Sequence, residues 1–173
     1  MKQRRLSAPP ERDATPTEMR ALAHPLRLRI LRATLNRSLT NKQIAERLRR
    51  DPGTVLHHVR VLVAGGFLAA EPIRAGRRGA LERPYRATGK SWRIRMVADR
   101  GYTVSVLEAV RDEIIETEPH AALGMVRLGV RLSEEDAAEL RRRIAALGDD
   151  FETRDDPNGA PIGILAVAYR RRP

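Results

Sequence analysis

Thr54, His57, His58 and Arg60 stand close together just after Asp51-Pro52-Gly53. A hydroxyl, two imidazoles and a guanidinium offer donors and acceptors of the kind that pair with base edges or phosphate oxygens. Val55, Val59 and Leu62 recur at i, i+4 and i+7 around them. A helix opening at Pro52 would bury that stripe. It would leave Gly53 and Thr54 at its N-terminus, and His57, His58 and Arg60 outward or at the flanks. Adjacent residues point about 100° apart on a helix, so at least one of the two histidines is expected on the reading face. A second basic group lies in Ala75-Gly76-Arg77-Arg78-Gly79-Ala80, a turn with Arg74 on the strand before it. A third lies at Thr40, Lys42 and Gln43, where a helix start could meet a phosphate.

Other chemistry finds less support. Asp112, Glu116 and His120 follow at i, i+4 and i+8, a spacing that suits an oxygen–nitrogen metal site. Pro119 interrupts it, and Glu113 and Glu118 make the stretch simply acidic. A solvated face or ion pairs to arginine is the expected role, and no metal site is expected. His24 precedes Pro25 and reads as a capping or packing residue. The absence of cysteine excludes disulfides, thiolate metal sites and a cysteine nucleophile. Ser133 reads as an N-cap, and neither a glycine-rich phosphate loop nor His-Glu-x-x-His occurs. Neither enzyme activity nor a cofactor is expected.

Charge points the same way as the motif. The 173 residues carry a formal net charge of +11. Residues 1–100 hold 23 basic against 8 acidic side chains, a net +15, whereas residues 101–173 hold 10 against 14, a net −4. Nearly all the basic residues are arginine, as GC-rich coding also produces, but that bias would act on both halves. The basic half is therefore where a polyanion would bind. Aromatics are only 3%, so the core must be aliphatic. No apolar stretch approaches the ~18 residues of a membrane span, and the first ten residues lack the apolar core of a signal peptide. A cytoplasmic protein without membrane contact is expected.

These groups need positioning elements. Residues 1–14 read as a disordered basic arm. A short helix is expected from Thr17 to Ala23 with Met19 and Leu22 inward, and another after His24-Pro25 with Leu28, Leu31 and Leu35 on one face. Thr40 and Gln43 form a capping box for a third, with Ile44, Ala45 and Leu48 buried. The fourth, from Pro52, stops at Gly65-Gly66. Phe67–Arg74 and Leu81–Thr88 read as the strands of a basic hairpin, with Pro84 confining the second to an edge or a bulge. Ser91–Arg100 is helical by pattern, and a longer helix follows with Val104, Leu107, Val110 and Ile114 on one stripe. Residues 126–132 and 162–169 read as strands flanking a helix that opens at Ser133.

Two helices, a tight turn and a basic hairpin make a winged helix-turn-helix. Leu22–Leu31, Asn41–Leu48 and Thr54–Leu68, taken together and in order, resemble the ArsR-type winged-helix repressors over roughly residues 17–90. The resemblance implies a dimeric regulator of transcription, with dimer contacts from the first helix and the one after the wing. Met19, Leu22, Val104, Leu107, Val110 and Ile114 are the interface residues expected on that basis. The family's thiolate motif is absent, and Leu56 stands where a serine usually precedes the histidine pair.

The expected fold is mainly α with small β (α+β): a winged helix-turn-helix DNA-binding domain at 15–90, a helical dimerisation segment at 91–120, and a C-terminal α/β extension at 121–173. That extension would lengthen the dimer or bind a small-molecule effector. The expected function is a homodimeric, sequence-specific regulator, more a repressor than an activator, on double-stranded DNA. The alternative is a winged-helix protein-interaction module, which would have no need of a net +15.

Overall fold

The computed structural model describes residues 12–76, 80–96, 99–118, 124–156 and 158–170. Among them the chain is mixed α+β, with short strands between six α-helices, and it divides into two units at Thr117/Glu118.

The first unit opens with β1 (Arg12–Asp13), α1 (Pro16–Leu22) and α2 (Pro25–Ala33). Each helix start is written in its cap. Thr15 and Glu18 form a reciprocal capping box for α1, and the His24 ring accepts the Leu26 N–H ahead of Pro25 in α2. β2 (Leu39–Thr40) leads straight into α3 (Asn41–Leu48), capped by Thr40 and Gln43 as the sequence predicts. Arg49 ends α3 in the left-handed region at φ 50°, ψ 49°. α4 (Pro52–Ala64) follows, and Asn41 Nδ2 donates to the Pro52 carbonyl at 2.9 Å, tying the starts of α3 and α4 together.

β3 (Leu68–Ala70), β4 (Arg74–Ala75), β5 (Leu81–Glu82) and β6 (Pro84–Ala87) form the hairpin. It is not one continuous ladder. β3 pairs with β6, and β4 pairs with β5, both antiparallel. Pro84 corrects an expectation, because β6 is the central strand of the order β2-β6-β3 rather than an edge. Pro84 is tolerated there because it is the first residue of the strand, where a missing donor interrupts little.

The helix expected over Ser91–Arg100 corrects among the described residues to other elements, except at Arg100, where the next helix begins. A 3-10 turn spans Lys90–Trp92, and β7 (Ile94–Arg95) pairs in parallel with β1. Arg12 and Asp13 are therefore part of a sheet, not of the arm assigned to 1–14. Apolar periodicity over 91–100 was too short to separate helix from strand. The α5 helix (Arg100–Ile115) closes the unit.

Leu22, Ile30, Ile44, Val55, Val59 and Leu62 are the centre of a core drawn from α1 to α4, with Phe67 just ahead of β3 buried among them. Leu22 is only 1% exposed, which corrects its assignment to a dimer interface: its burial is spent within its own chain. Met19 is half-buried against the same core.

In the second unit α6 (Glu134–Thr153) has the predicted Ser133 cap, with Ser133 Oγ accepting the Asp136 N–H at 3.0 Å. The strands expected at 126–132 and 162–169 correct to segments that join no sheet among the described residues. Alternating apolar residues favour a strand only where a neighbour supplies the ladder and covers one face. Here Val126, Leu128, Ile162 and Ile164 are all more than half exposed. Arg170 reaches back to Glu134 at 2.7 Å, which brings the end of the last segment to the start of α6.

Candidate nucleic-acid interface

α4 is two-faced. Val55, His58, Val59 and Leu62 are buried, while Gly53, Thr54, His57 and Arg60 are exposed. Asp51 caps the helix, accepting the Thr54 N–H at 2.8 Å and the Thr54 hydroxyl at 3.2 Å. The Thr54 N–H holds the Asp51 carboxyl below its ordinary range. Four of the predicted contact positions thus share an open face behind a buried stripe.

The two histidines separate. His57 is exposed, but His58 is 8% exposed and turned into the molecule, which corrects its placement on the reading face. Its ring lies 4.3 Å from that of His24, and its Nδ1 is 3.5 Å from Arg27 Nη1. Burial, then the neighbouring His24 and Arg27, pushes the His58 imidazole down to about 4. The cause is geometric: the inward arc of α4 runs through Val55, Val59 and Leu62, and His58 falls beside it.

At the start of α3 the expected groups are already engaged. Thr40 is buried, accepts the Gln43 N–H, and has its own N–H bound by Gln43 Oε1 at 2.9 Å. Thr40 is therefore a cap and not an exposed phosphate ligand, and the Gln43 carbonyl is spent on the same box. Lys42 is exposed, 4.0 Å from Glu46. On the hairpin Arg74 is exposed in β4, while Arg77 and Arg78 lie outside the described residues.

Behind α4 lies a charge network that the motifs did not disclose. Arg29 on α2 is 3% exposed and pairs with Asp112 on α5 at 3.4 Å and with Glu116, the residue that caps the end of α5. Asp112 and Glu116 therefore take the ion-pair role weighed for them, and His120 lies outside the described residues. A helical wheel would have flagged Arg29, because it shares an arc with Leu26, Ile30 and Ala33. Glu18, also buried, receives Arg12 at 2.6 Å and Lys90 at 2.7 Å, and Arg12 holds its carboxyl far below the usual range. Lys90 also donates to the Gly65 carbonyl at 2.6 Å, where α4 ends. No sequence pattern marks that convergence, since its members are scattered along the chain.

On α5, Ser105 and Ala109 face inward, whereas Val104, Leu107 and Ile114 are 44%, 43% and 58% exposed. Val110 is half-buried, and Ile115 is exposed beside them. Among the described residues no helix is long and apolar enough to cross a membrane, and no group of three potential ligands could hold a metal ion.

Three comparisons bear on this geometry. No protein of curated function matches the chain. Among solved structures, the heme sensor protein PefR from Streptococcus agalactiae, in complex with heme, is similar at 16% identity over 82% of this chain and 83% of that one, with a TM-score of 0.34. That likeness is loose, and nothing of its ligand passes to this chain through it. Residues 22–70, from the end of α1 to the end of β3, match the family described as a helix-turn-helix domain, within a chain that is mixed α+β among the described residues.

Proposed function

We propose that the chain is a DNA-binding regulator of transcription that acts as a homodimer on an inverted-repeat operator, more a repressor than an activator. The observation that carries this reading is α4, whose buried stripe of Val55, Val59 and Leu62 leaves Gly53, Thr54, His57 and Arg60 open to a groove. A major groove about 12 Å wide admits one such helix. Lys42 and Arg74, with Arg77 and Arg78 that follow in the sequence, would meet phosphates on either side. The +15 of the first hundred residues suits that partner. The location that goes with this function is the cytoplasm.

A single helix reads only a few base pairs, so a genomic site calls for two. The exposed stripe Val104, Leu107 and Ile114, with Val110 beside it, supports α5 as the surface on which two copies meet. Residues 121–173 then extend the dimer, and their exposed apolar side chains are in keeping with that role.

The test is selection of bound duplexes from a random library, followed by fluorescence anisotropy over a salt series. The expected result is an inverted repeat with half-sites about one helical turn apart, and a log–log salt slope of several units. Binding indifferent to sequence and salt, with capture of a protein instead, would replace this reading with the protein-interaction module.

A further inference from the structure

The first turn of α2, the start of α4 and the later half of α5 enclose a cleft of about 290 Å³. His24, Arg29, Arg50, Thr54, His58 and Asp112 are among the residues lining it. Arg29 is the deepest charge, at 3% exposure, and its Nε is buried without a hydrogen-bond partner. Its other nitrogens reach Asp112 Oδ2 at 3.4 Å and Glu116. The same Asp112 oxygen is 3.7 Å from Arg50. A well-formed charge-assisted N–H···O contact is about 2.7–2.9 Å. One carboxylate oxygen is therefore shared between two guanidinium groups, with a long hydrogen bond to Arg29 and only an ion-pair distance to Arg50.

We propose that this cleft binds a small carboxylate, whose charged end lies between Arg29 and Arg50 in the place that Asp112 holds poorly. A carboxylate matches the planar fork of a guanidinium through two parallel hydrogen bonds, closer than the long contact Asp112 makes with Arg29 Nη1. The volume admits only a small molecule. Pro25, Leu26 and the rings of His24 and His58 supply walls for its carbon skeleton. A phosphate of duplex DNA does not compete for Arg29, which lies too deep for a rigid duplex to approach.

The placement gives the ligand a consequence. Asp112 joins α5 to α2 through Arg29, while Thr54 and His58 belong to α4. A carboxylate that displaces Asp112 loosens the hold on α5 and touches the helix offered to DNA. This regulatory consequence rests on the DNA-binding reading; occupancy of the cleft does not.

The test uses the full chain, labelled with nitrogen-15, and follows arginine Nε–H and backbone amide resonances during titration with sodium succinate at constant ionic strength. Sodium chloride, inorganic phosphate and the neutral diamide succinamide are the controls. The expected result is a saturable shift at Arg29 Nε–H and at the Thr54 amide with succinate alone. Arg50→Gln, at a half-exposed site where folding is not at stake, should weaken binding roughly tenfold. Asp112→Asn, which removes the internal competitor, should tighten it several-fold. No saturation, an equal shift with chloride, or a response to phosphate but not succinate would overturn the site. An operator affinity unchanged by saturating succinate would overturn the regulatory part. A chain that binds no DNA at all fails the proposed function instead, and the titration still decides the cleft.

Discussion

The imidazoles of His24 and His58 face each other with ring centroids 4.3 Å apart and planes tilted by 45°. One caps α2 and the other belongs to α4, so the contact ties the helix opened by Pro25 to the helix opened by Pro52. Burial first, and then the positive neighbours, lowers the pKa of both rings, that of His58 to about 4. An unfolded histidine titrates near 6.5. Between those values the unfolded chain binds more protons than the folded one, so stability rises with pH. The contribution is complete above about pH 6.5 and is lost as the pH falls towards 4. Glu18, whose carboxyl is depressed, acts in a lower window, below the usual carboxylate value near 4.3. Thermal unfolding between about pH 7 and pH 5 should therefore show a declining midpoint, and His58→Gln should flatten that decline. An equally steep decline in the variant would remove His58 as its source.

Arg29 is the second point of leverage. Arg29→Met should cost about 2–3 kcal/mol, below the ~3–5 of a fully buried pair, because Asp112 and Glu116 are 28% and 40% exposed. Urea denaturation measures the loss. Hydrogen exchange should place it first in α5, where the amides of residues 105–113 should lose protection before those of α3.

His57 and His58 should respond in opposite ways. His57→Ala should leave stability within about 0.5 kcal/mol and reduce discrimination between operator and random DNA by about 1–3 kcal/mol. His58→Ala should lower the unfolding midpoint through a lost core contact. A stability loss at His57 without any change in discrimination would place the reading face elsewhere on α4.

Leu107→Glu addresses the dimer. Leu107 is 43% exposed in the single chain, so the charge should be tolerated by the fold. In a two-fold seam the same charge would be buried without a partner in both subunits. Light scattering should report a dimer for the unaltered chain and a folded monomer for the variant, with much weaker operator binding. A wild-type monomer that still occupies its operator would refute the dimer.

Arg49→Gly offers a stabilising change. Arg49 is the single non-glycine residue at positive φ among the described residues. A glycine avoids the Cβ conflict of the left-handed region, worth roughly 1–2 kcal/mol, less the entropy that glycine loses on folding. A rise in the melting midpoint is expected. A fall would mean that the Arg49 side chain contributes more than its backbone costs.

The helices that build the site could be read in the sequence because their signals are local. Thr40 with Gln43, Asp51 with Pro52, and Val55 with Val59 and Leu62 each specify an element within one or two turns. What escaped depends on distance along the chain. Parallel pairing of Arg12 with Ile94 and the approach of Lys90 to Glu18 leave no periodic trace. Periodicity locates the centre of the stripe but not its width, so it does not reveal that His58 is buried. The segments 126–132 and 162–169 have strand-like alternation, yet alternation specifies a face and not the partner that must cover it.

Val104, Leu107, Ile114 and Ile115 stay exposed outside the core, whereas Ser105 and Ala109 on the opposite arc are buried. The two sides of α5 therefore answer to different selective pressures. The inner side can change little without prising α5 from α2, because only small side chains fit where it is buried. The outer side is freer to change, because its side chains are exposed. If two copies meet on α5 as proposed, drift along that outer side among duplicated copies of such a gene would decide which subunits recognise one another. On the proposed function, new regulators could then separate from old ones by a few substitutions outside the residues proposed to face DNA.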